Sequence, residues 1–358
     1  MEKIRVLVVT TTDIGFNGIT SVIMNYYRNI DRSKIQFDFA IGEKIHDTIE
    51  NEIKELGGQV FKMPSRKKNT VKYIKVLKKL AKEKKYKIAH VHGNSGTLYL
   101  DIYALRKAGV RIRISHSHNS TCKHKLIHKL LKSPLNKEAT HAIACSKLAG
   151  DWIYEKEYMI INNGINVEDF LYNETIRNEY RKKMNIENKF VIGHIGHFSY
   201  QKNHQFLINI FKEVHEKDSS AMLMLIGDGK FRTKIEKQIA DLGIKENVIL
   251  LGRREDTQAL IHAMDVFVFP SRFEGLPVVL IEAQAAGLKC IVSDVITREC
   301  KVTDRLEYLS LNDIDKWKYS ILNSKKTYKR DNVEQIMINS NYNIKNETKK
   351  LEKIYLEC

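Results

Sequence analysis

Short, nearly continuous apolar runs alternate with amphipathic stretches along the whole chain. Apolar runs of four to eight residues bounded by turn residues read as strands buried on both faces, and apolar positions recurring every three or four residues read as helices. In the first half this predicts strands at 4–10, 37–41, 88–92, 111–115 and 142–145. Between them lie helices such as 71–85, with Val71, Ile74, Leu77 and Leu80 on one face. The second half repeats the scheme, with strands at 190–195, 221–226, 248–250, 266–269 and 289–292 and helices at 205–217, 230–242, 257–264 and 276–286. Strands alternating with helices form parallel sheets with crossover helices, so the predicted class is α/β, two Rossmann-like lobes. The Asn-Gly step at 163–164, inside 161–167, marks the hinge between apolar segments. The expected lobes are 1–165 and 166–340, with a C-terminal helix over 341–358 packing back on the N-terminal lobe. Ligands of open α/β sheets bind outside the carboxyl ends of the strands, so the lobes are expected to face each other across a cleft holding the site.

Length agrees with two lobes, since 358 residues exceed the ceiling of about 250–300 for one hydrophobic core. No stretch approaches the ~18 apolar residues of a membrane span, and the apolar start of the chain reads as a buried strand rather than a signal segment. The five cysteines, Cys122, Cys145, Cys290, Cys300 and Cys358, are odd in number and lack C-x-x-C pairing, which argues against a disulfide framework or a zinc knuckle and for a cytoplasmic setting.

Charge divides the halves unequally. Residues 1–165 carry 30 Lys and Arg against 15 Asp and Glu, which is +15 of the chain's +17. Such asymmetry suits a polyanionic partner, and the competing reading is a solvated Lys-rich surface. The stretch at 123–132 sets Leu126, Ile127, Leu130 and Leu131 among Lys123, Lys125, Lys129 and Lys132, the pattern of a basic helix lying on an anionic membrane surface. Nucleic acid is not expected as a partner, because the basic stretches carry few aromatics and no recognition motif. His124 and His128, four apart, read as a solvated helix face rather than metal ligands.

Candidate chemistry lies just beyond predicted strands. The turn at 11–20 ends at Gly18 and opens a helix, where free N–H groups and the helix dipole favour a phosphate. The turn at 193–204 places Lys202 at the next helix, aimed at the same anion, with His197 as a second donor. Gly227-Asp228-Gly229 reads equally as a plain connection. The sharpest signal is the segment 270–287, PSRFEGLPVVLIEAQAAG. Glu274 is expected at the helix N-terminus beside backbone N–H groups, where a carboxylate bonds sugar hydroxyls, and Glu282 about two turns deeper, where it clamps a ribose diol. The helix is otherwise apolar, so a carboxylate inside it needs a partner. Asp313-Ile-Asp315 reads as a helix cap, and no metal site is expected.

The spacing Glu274-x7-Glu282, with GHFSYQKN, LIGDG and DVFVFPS, resembles glycosyltransferase family 4, retaining enzymes of the GT-B fold. Residues 90–119, 139–146 and 161–170 resemble its bacterial capsular and exopolysaccharide branch. The resemblance implies that Glu282 binds the donor ribose, that Glu274 with the N–H groups of Gly275 and Leu276 holds the donor sugar, and that Lys202 and the Gly18 turn hold the diphosphate. It puts the active-site histidine in ISHSHN, with His116 preferred over His118 as the first residue beyond the strand. Two departures stand out: His197 replaces an Arg, and Asn17 replaces the first Gly of a Gly-Gly turn. The implied activity is transfer of a hexose or N-acetylhexosamine from a nucleoside diphosphate sugar, expected to be UDP-linked, to a lipid-linked saccharide, without a cofactor, at the inner face of the cell membrane. A nucleotide-sugar epimerase of the same architecture and a non-catalytic scaffold are the alternatives.

Overall fold

The computed structural model describes every residue except 1, 2, 12, 16, 43, 123, 328, 329, 331 and 358, so Lys123 and Cys358 of the readings above lie outside the described residues. The chain divides into two compact units, Met1–Gly164 with Ile344–Cys358, and Ile165–Asn343.

Among the described residues the first unit holds a seven-stranded parallel sheet in the order β3-β2-β1-β4-β5-β6-β7. Its strands are β1 (Ile4–Thr10), β2 (Ile35–Ile41), β3 (Val60–Lys62), β4 (Ile88–Gly93), β5 (Ile112–Ser117), β6 (His141–Ala144) and β7 (Met159–Ile160). Every residue of β2 and β4 is buried, as sheets covered on both faces require. The helix Thr70–Glu83 buries Tyr73, Leu77 and Ala81 with Ile74 and Leu80 packed beside them, so of the predicted face only Val71 is exposed; Tyr73 donates to the buried Asp101 at 2.6 Å. The C-terminal helix Ile344–Leu356 is part of this unit. Its Glu347 accepts from the Asn162 N–H at 2.7 Å, its Glu352 from the Asp31 N–H at 2.7 Å, and its Tyr355 is wholly buried.

The second unit is a six-stranded parallel sheet, again among the described residues, in the order β10-β9-β8-β11-β12-β13. The strands are β8 (Phe190–Ile195), β9 (Ala221–Ile226), β10 (Val248–Gly252), β11 (Val266–Phe269), β12 (Lys289–Ser293) and β13 (Leu306–Leu309). Separate apolar clusters cover its two faces, one containing Val191, Phe267 and Leu280, the other Ile192, Phe211 and Trp317. The helix Ile314–Thr327 begins beside Asp313, whose carboxylate accepts from the Lys316 N–H at 3.1 Å, and Asp315 pairs with Lys318 at 2.7 Å. Cys145, Cys290 and Cys300 are buried and Cys122 is half-buried, and no disulfide joins them among the described residues.

Candidate active site

In the second unit the strand order reverses between β8 and β11, and the crevice beyond such a switch point is where α/β sheets hold ligands. The two loops that leave these strands, 196–203 and 270–277, are tied together. The Arg272 N–H donates to Gln201 O at 2.8 Å, and Arg272 Nη2 donates to Asn203 Oδ1 at 2.7 Å. Asn203 takes the left-handed conformation (φ 55°) just ahead of the helix His204–Lys217, which turns the chain so that Lys202 lies over the Phe269 ring, 4.3 Å from its centroid. Lys202 Nζ meets Glu274 Oε1 at 2.7 Å, and Gln201 Nε2 donates to Glu274 Oε2 at 2.9 Å. The side chains of Lys202 and Glu274 are 16% and 7% exposed.

Both glutamates sit differently from expectation. The helix runs Val278–Ala285 rather than 276–286: Pro277 is its extended N-cap, and a residue before proline, here Leu276, is pushed out of the helical region. Glu274 therefore lies in the loop, four residues ahead of the helix, and its oxygens are taken by Gln201 and Lys202 instead of helix N–H groups. The backbone N–H groups of Gly275 and Leu276 have no acceptor among the described residues, and Pro277 gives the first turn of the helix no side-chain cap. Leu276 itself is a core side chain, so only its backbone is available. Glu282 is one turn into the helix, not two. It keeps part of its surface exposed but has no ionic partner among the described residues, and burial pushes its carboxyl up to about 7.

His197 is exposed on the turn after β8. Against it packs Gly227-Asp228-Gly229, which is more than a plain connection: Gly227 has φ 138°, a Cβ there would fall on Gly196 O, and a Cβ on Gly229 would strike Phe198 O and the His197 ring. Beneath this turn, burial pushes His194 down to about 4 and His204 down to about 2, and both ring nitrogens of His204 are buried without a partner.

In the first unit Gly18 opens the helix Gly18–Asn29, and a Cβ on it would meet nothing within 4 Å. Asn17 supplies the cap, its Oδ1 accepting from the Thr20 N–H at 3.1 Å, which accounts for an Asn where a Gly was expected. His116 needs correction. The strand β5 extends to Ser117, so His116 lies inside it, wholly buried, and His118 is the first residue beyond. His118 Nε2 meets His92 Nδ1 at 2.9 Å; burial pushes its imidazole down to about 4, opposed by a side-chain contact with Asn163. His128 needs correction too: it is buried, stacks on Trp152 with centroids 4.3 Å apart and accepts from the Gly96 N–H at 3.0 Å, whereas His124 is exposed.

His90 and His92 went unread in the sequence. Residues two apart on a strand share a face, and the parallel register sets His92 opposite His116, so the H-x-H pairs of β4 and β5 become one patch of four rings. Two H-x-H pairs, one inside the strand predicted at 88–92 and one just beyond that predicted at 111–115, were the available signal.

Two parallel-sheet Rossmann-like units, the second with a Lys–Glu pair at its switch point, make the GT-B architecture of sugar transferases. In fold the chain is similar to the Anabaena protein Alr3699/HepE, solved in complex with UDP, with a TM-score of 0.82 and 15% identity over 99% of this chain and 100% of that one. In sequence it is similar to the putative glycosyltransferase EpsF of Bacillus subtilis, 34% identical over 297 residues, covering 79% of this chain and 77% of that protein. It is also similar to the Escherichia coli UDP-Gal:alpha-D-GlcNAc-diphosphoundecaprenol alpha-1,3-galactosyltransferase, 29% identical over 306 residues and 78% of each chain. Residues 176–305 match the family described as glycosyl transferases group 1. The chain belongs to this glycosyltransferase family, in its capsular and exopolysaccharide branch, and is a glycosyltransferase of polysaccharide biosynthesis.

Proposed function

We propose that the protein is a retaining glycosyltransferase that moves a hexose or N-acetylhexosamine from a UDP-sugar to a lipid-linked saccharide, with no metal in the chemical step. The observation that carries this reading is the Lys202–Glu274 pair beside the open N–H groups of Gly275, Leu276 and the following helix. UDP is favoured because the E. coli relative is named for UDP-Gal, and a lipid-linked acceptor because that relative is named for a diphosphoundecaprenol substrate.

Cleaving the bond from the anomeric carbon to the diphosphate builds positive charge on the sugar and negative charge on the leaving group. Donors aimed at the diphosphate are then the main catalytic contribution. Lys202 turns from Glu274 towards the diphosphate, and helix N–H groups join it. Glu274, still held by Gln201, is freed to accept from sugar hydroxyls, with the N–H groups of Gly275 and Leu276 beside it. Glu282 accepts from the ribose diol in its ionised form, and the exposed His197 lends a further donor. The acceptor hydroxyl attacks on the face the diphosphate leaves, and a departing phosphate oxygen takes its proton, so no protein nucleophile is needed. In the first unit the Gly18 turn is the expected anion contact, and His118, at the strand end, takes the role first given to His116.

The basic amphipathic helix supports an acceptor held at a lipid surface. It runs Lys125–Glu138, and Leu126 and Leu130 are 81% and 76% exposed among lysines. Among the described residues no helix is long and apolar enough to cross a membrane. The test is a panel of nucleotide sugars, assayed first for thermal stabilisation and then, with EDTA present, for transfer to undecaprenyl-diphosphate sugars, with the product anomer read by NMR. A UDP-sugar at 100 times its Kd adds about 2.7 kcal/mol of stability. Stabilisation by no UDP-sugar, an inverted product, or loss of transfer in EDTA that Mg²⁺ restores would each overturn part of the reading.

A further inference from the structure

We propose that His90, His92 and His116 form a binding site for a borderline d-block cation, Zn²⁺ foremost, within the first unit. The three side chains each offer one imidazole nitrogen, and these nitrogens lie within 4.8 Å of one another. The residues are at most 4% exposed, and they stand on adjacent parallel strands whose register makes His92 the direct partner of His116. Nothing in the proposed transfer step uses them, and the proposal does not rest on that step.

The surroundings are those that orient histidine ligands. A ligating imidazole usually has its other nitrogen fixed by a hydrogen bond, which sets tautomer and ring orientation. His90 Nδ1 is held by Tyr355 Oη at 2.6 Å, leaving Nε2 for a metal; His92 Nδ1 is held by His118 Nε2 at 2.9 Å, leaving its Nε2. His116 points Nδ1 at His90 Nε2, 3.1 Å away, with the two rings within 8° of parallel. Two nitrogens each 2.0–2.1 Å from one tetrahedral ion are about 3.3 Å apart, so an ion replacing the proton shared by this hydrogen-bonded pair would change their separation little. The third ligand atom lies within 4.8 Å of the other two, so it must draw closer to complete the set. The set is three neutral nitrogen donors with no carboxylate, which suits zinc, copper or nickel and not magnesium or calcium. His116 Nε2, buried without a partner, would be the outer nitrogen of that ligand. Because Tyr355 comes from the C-terminal helix, a bound ion ties that helix to β4 and β5 and stabilises the first unit.

The test uses the full chain stripped with chelator, then given Zn²⁺ or Co²⁺. The expected results are one ion per chain after gel filtration, the visible absorption of tetrahedral Co²⁺, three imidazole nitrogens at 2.0–2.1 Å by X-ray absorption of the zinc form, and a higher melting temperature. Tyr355→Phe, which keeps the ring but removes the hydrogen bond to His90, is expected to weaken Zn²⁺ affinity 10–100-fold. His92→Gln, at the rim of the cluster, should abolish the Co²⁺ spectrum. No retained ion, fewer than three imidazoles around it, or binding untouched by both variants overturns the proposal. Should either variant fail to fold, the stoichiometry and ligand count of the unaltered chain decide it alone.

Discussion

Lys202 and Glu274 stand 72 residues apart in the chain, yet their side chains meet at 2.7 Å because β8 and β11 are neighbours in the sheet. Each is nearly enclosed, and each is the other's charge partner. Removing one member of a buried pair strands the other, so Lys202→Met is expected to cost about 3–5 kcal/mol of stability, with Gln201 alone left to Glu274. Lys202→Met combined with Glu274→Leu should recover most of that loss. Urea unfolding of both singles and the double gives the coupling; strictly additive losses would show that the two act apart.

The two glutamates are expected to fail differently in kinetics. A ribose contact holds ground and transition states alike, so Glu282→Ala raises KM for the donor with kcat little changed. A contact to the reacting sugar tightens as the bond breaks, so Glu274→Ala lowers kcat. Initial rates against donor concentration separate the two, and the opposite pattern would exchange the assignments.

Glu282 also carries a pH signature. Burial, which disfavours the charged form, pushes its carboxyl up to about 7 in the folded chain, from 4.5 when unfolded. A raised carboxyl keeps its full contribution to stability below about 4.5 and loses it as pH rises towards 7 and above. Glu282→Gln removes that dependence. The variant is expected to melt above the parent at pH 8 and beside it at pH 4.5, and a difference that stays constant across that range would contradict the unpaired carboxylate.

Much of this architecture was legible in the sequence, and the losses have identifiable causes. The strands at 190–195, 221–226 and 266–269 were read to the residue, since central parallel strands are unbroken apolar runs. Val60–Lys62, Met159–Ile160 and Leu306–Leu309 were missed because they are short edge strands with exposed or half-buried positions. The helix read as ending at 132 continues past Pro134 to Glu138, held there by the buried Leu135 and by Asn136, whose Nδ2 donates to Ile153 O at 3.0 Å. Those contacts are tertiary and leave no local trace. The same limit applies to the site: Lys202 and both glutamates carry a recognisable spacing, whereas Gln201 acts only because two loops meet, and the four-ring patch exists only in one strand register.

His204 offers a test of the second unit in acid. Burial holds it near 2 in the fold, against 6.5 when unfolded, with His194 near 4. A lowered histidine leaves stability intact above about 6.5; it is then lost as pH falls, by about 1.4 kcal/mol per pH unit for each such ring. Because neither His204 nitrogen has a partner, His204→Leu should cost little at pH 8 and should flatten the acid loss between 6.5 and 4. Trp317, buried in this unit, reports unfolding by fluorescence in a Trp152→Phe background. Equal acid slopes in parent and variant would remove His204 from the account.

The basic helix Lys125–Glu138 yields the last prediction, and its geometry narrows the residues to change. Leu126 and Leu130 project from the surface, Ile127 is 47% exposed, and Lys125 and Lys129 flank them. Lys132 is half-buried and lies 4.0 Å from Glu155, so reversing it would introduce a repulsion within the protein and confuse the result. If this face rests on an anionic leaflet, each lysine near the surface adds about 1 kcal/mol, and the attraction fades within about 8 Å at physiological salt. Leu126→Ser with Leu130→Ser removes side chains that contribute little to folding, so the melting temperature should hold while sedimentation with anionic vesicles falls. Lys125→Glu with Lys129→Glu should reduce the same binding and lessen its loss on adding salt. Both variants lie outside the proposed donor contacts at Lys202, Glu274 and Glu282, so they should keep donor affinity and lose turnover only on acceptors presented in vesicles. Parent protein that ignores anionic vesicles, or variants that sediment with them as the parent does, would show that the exposed leucines and the excess of lysine serve no lipid surface.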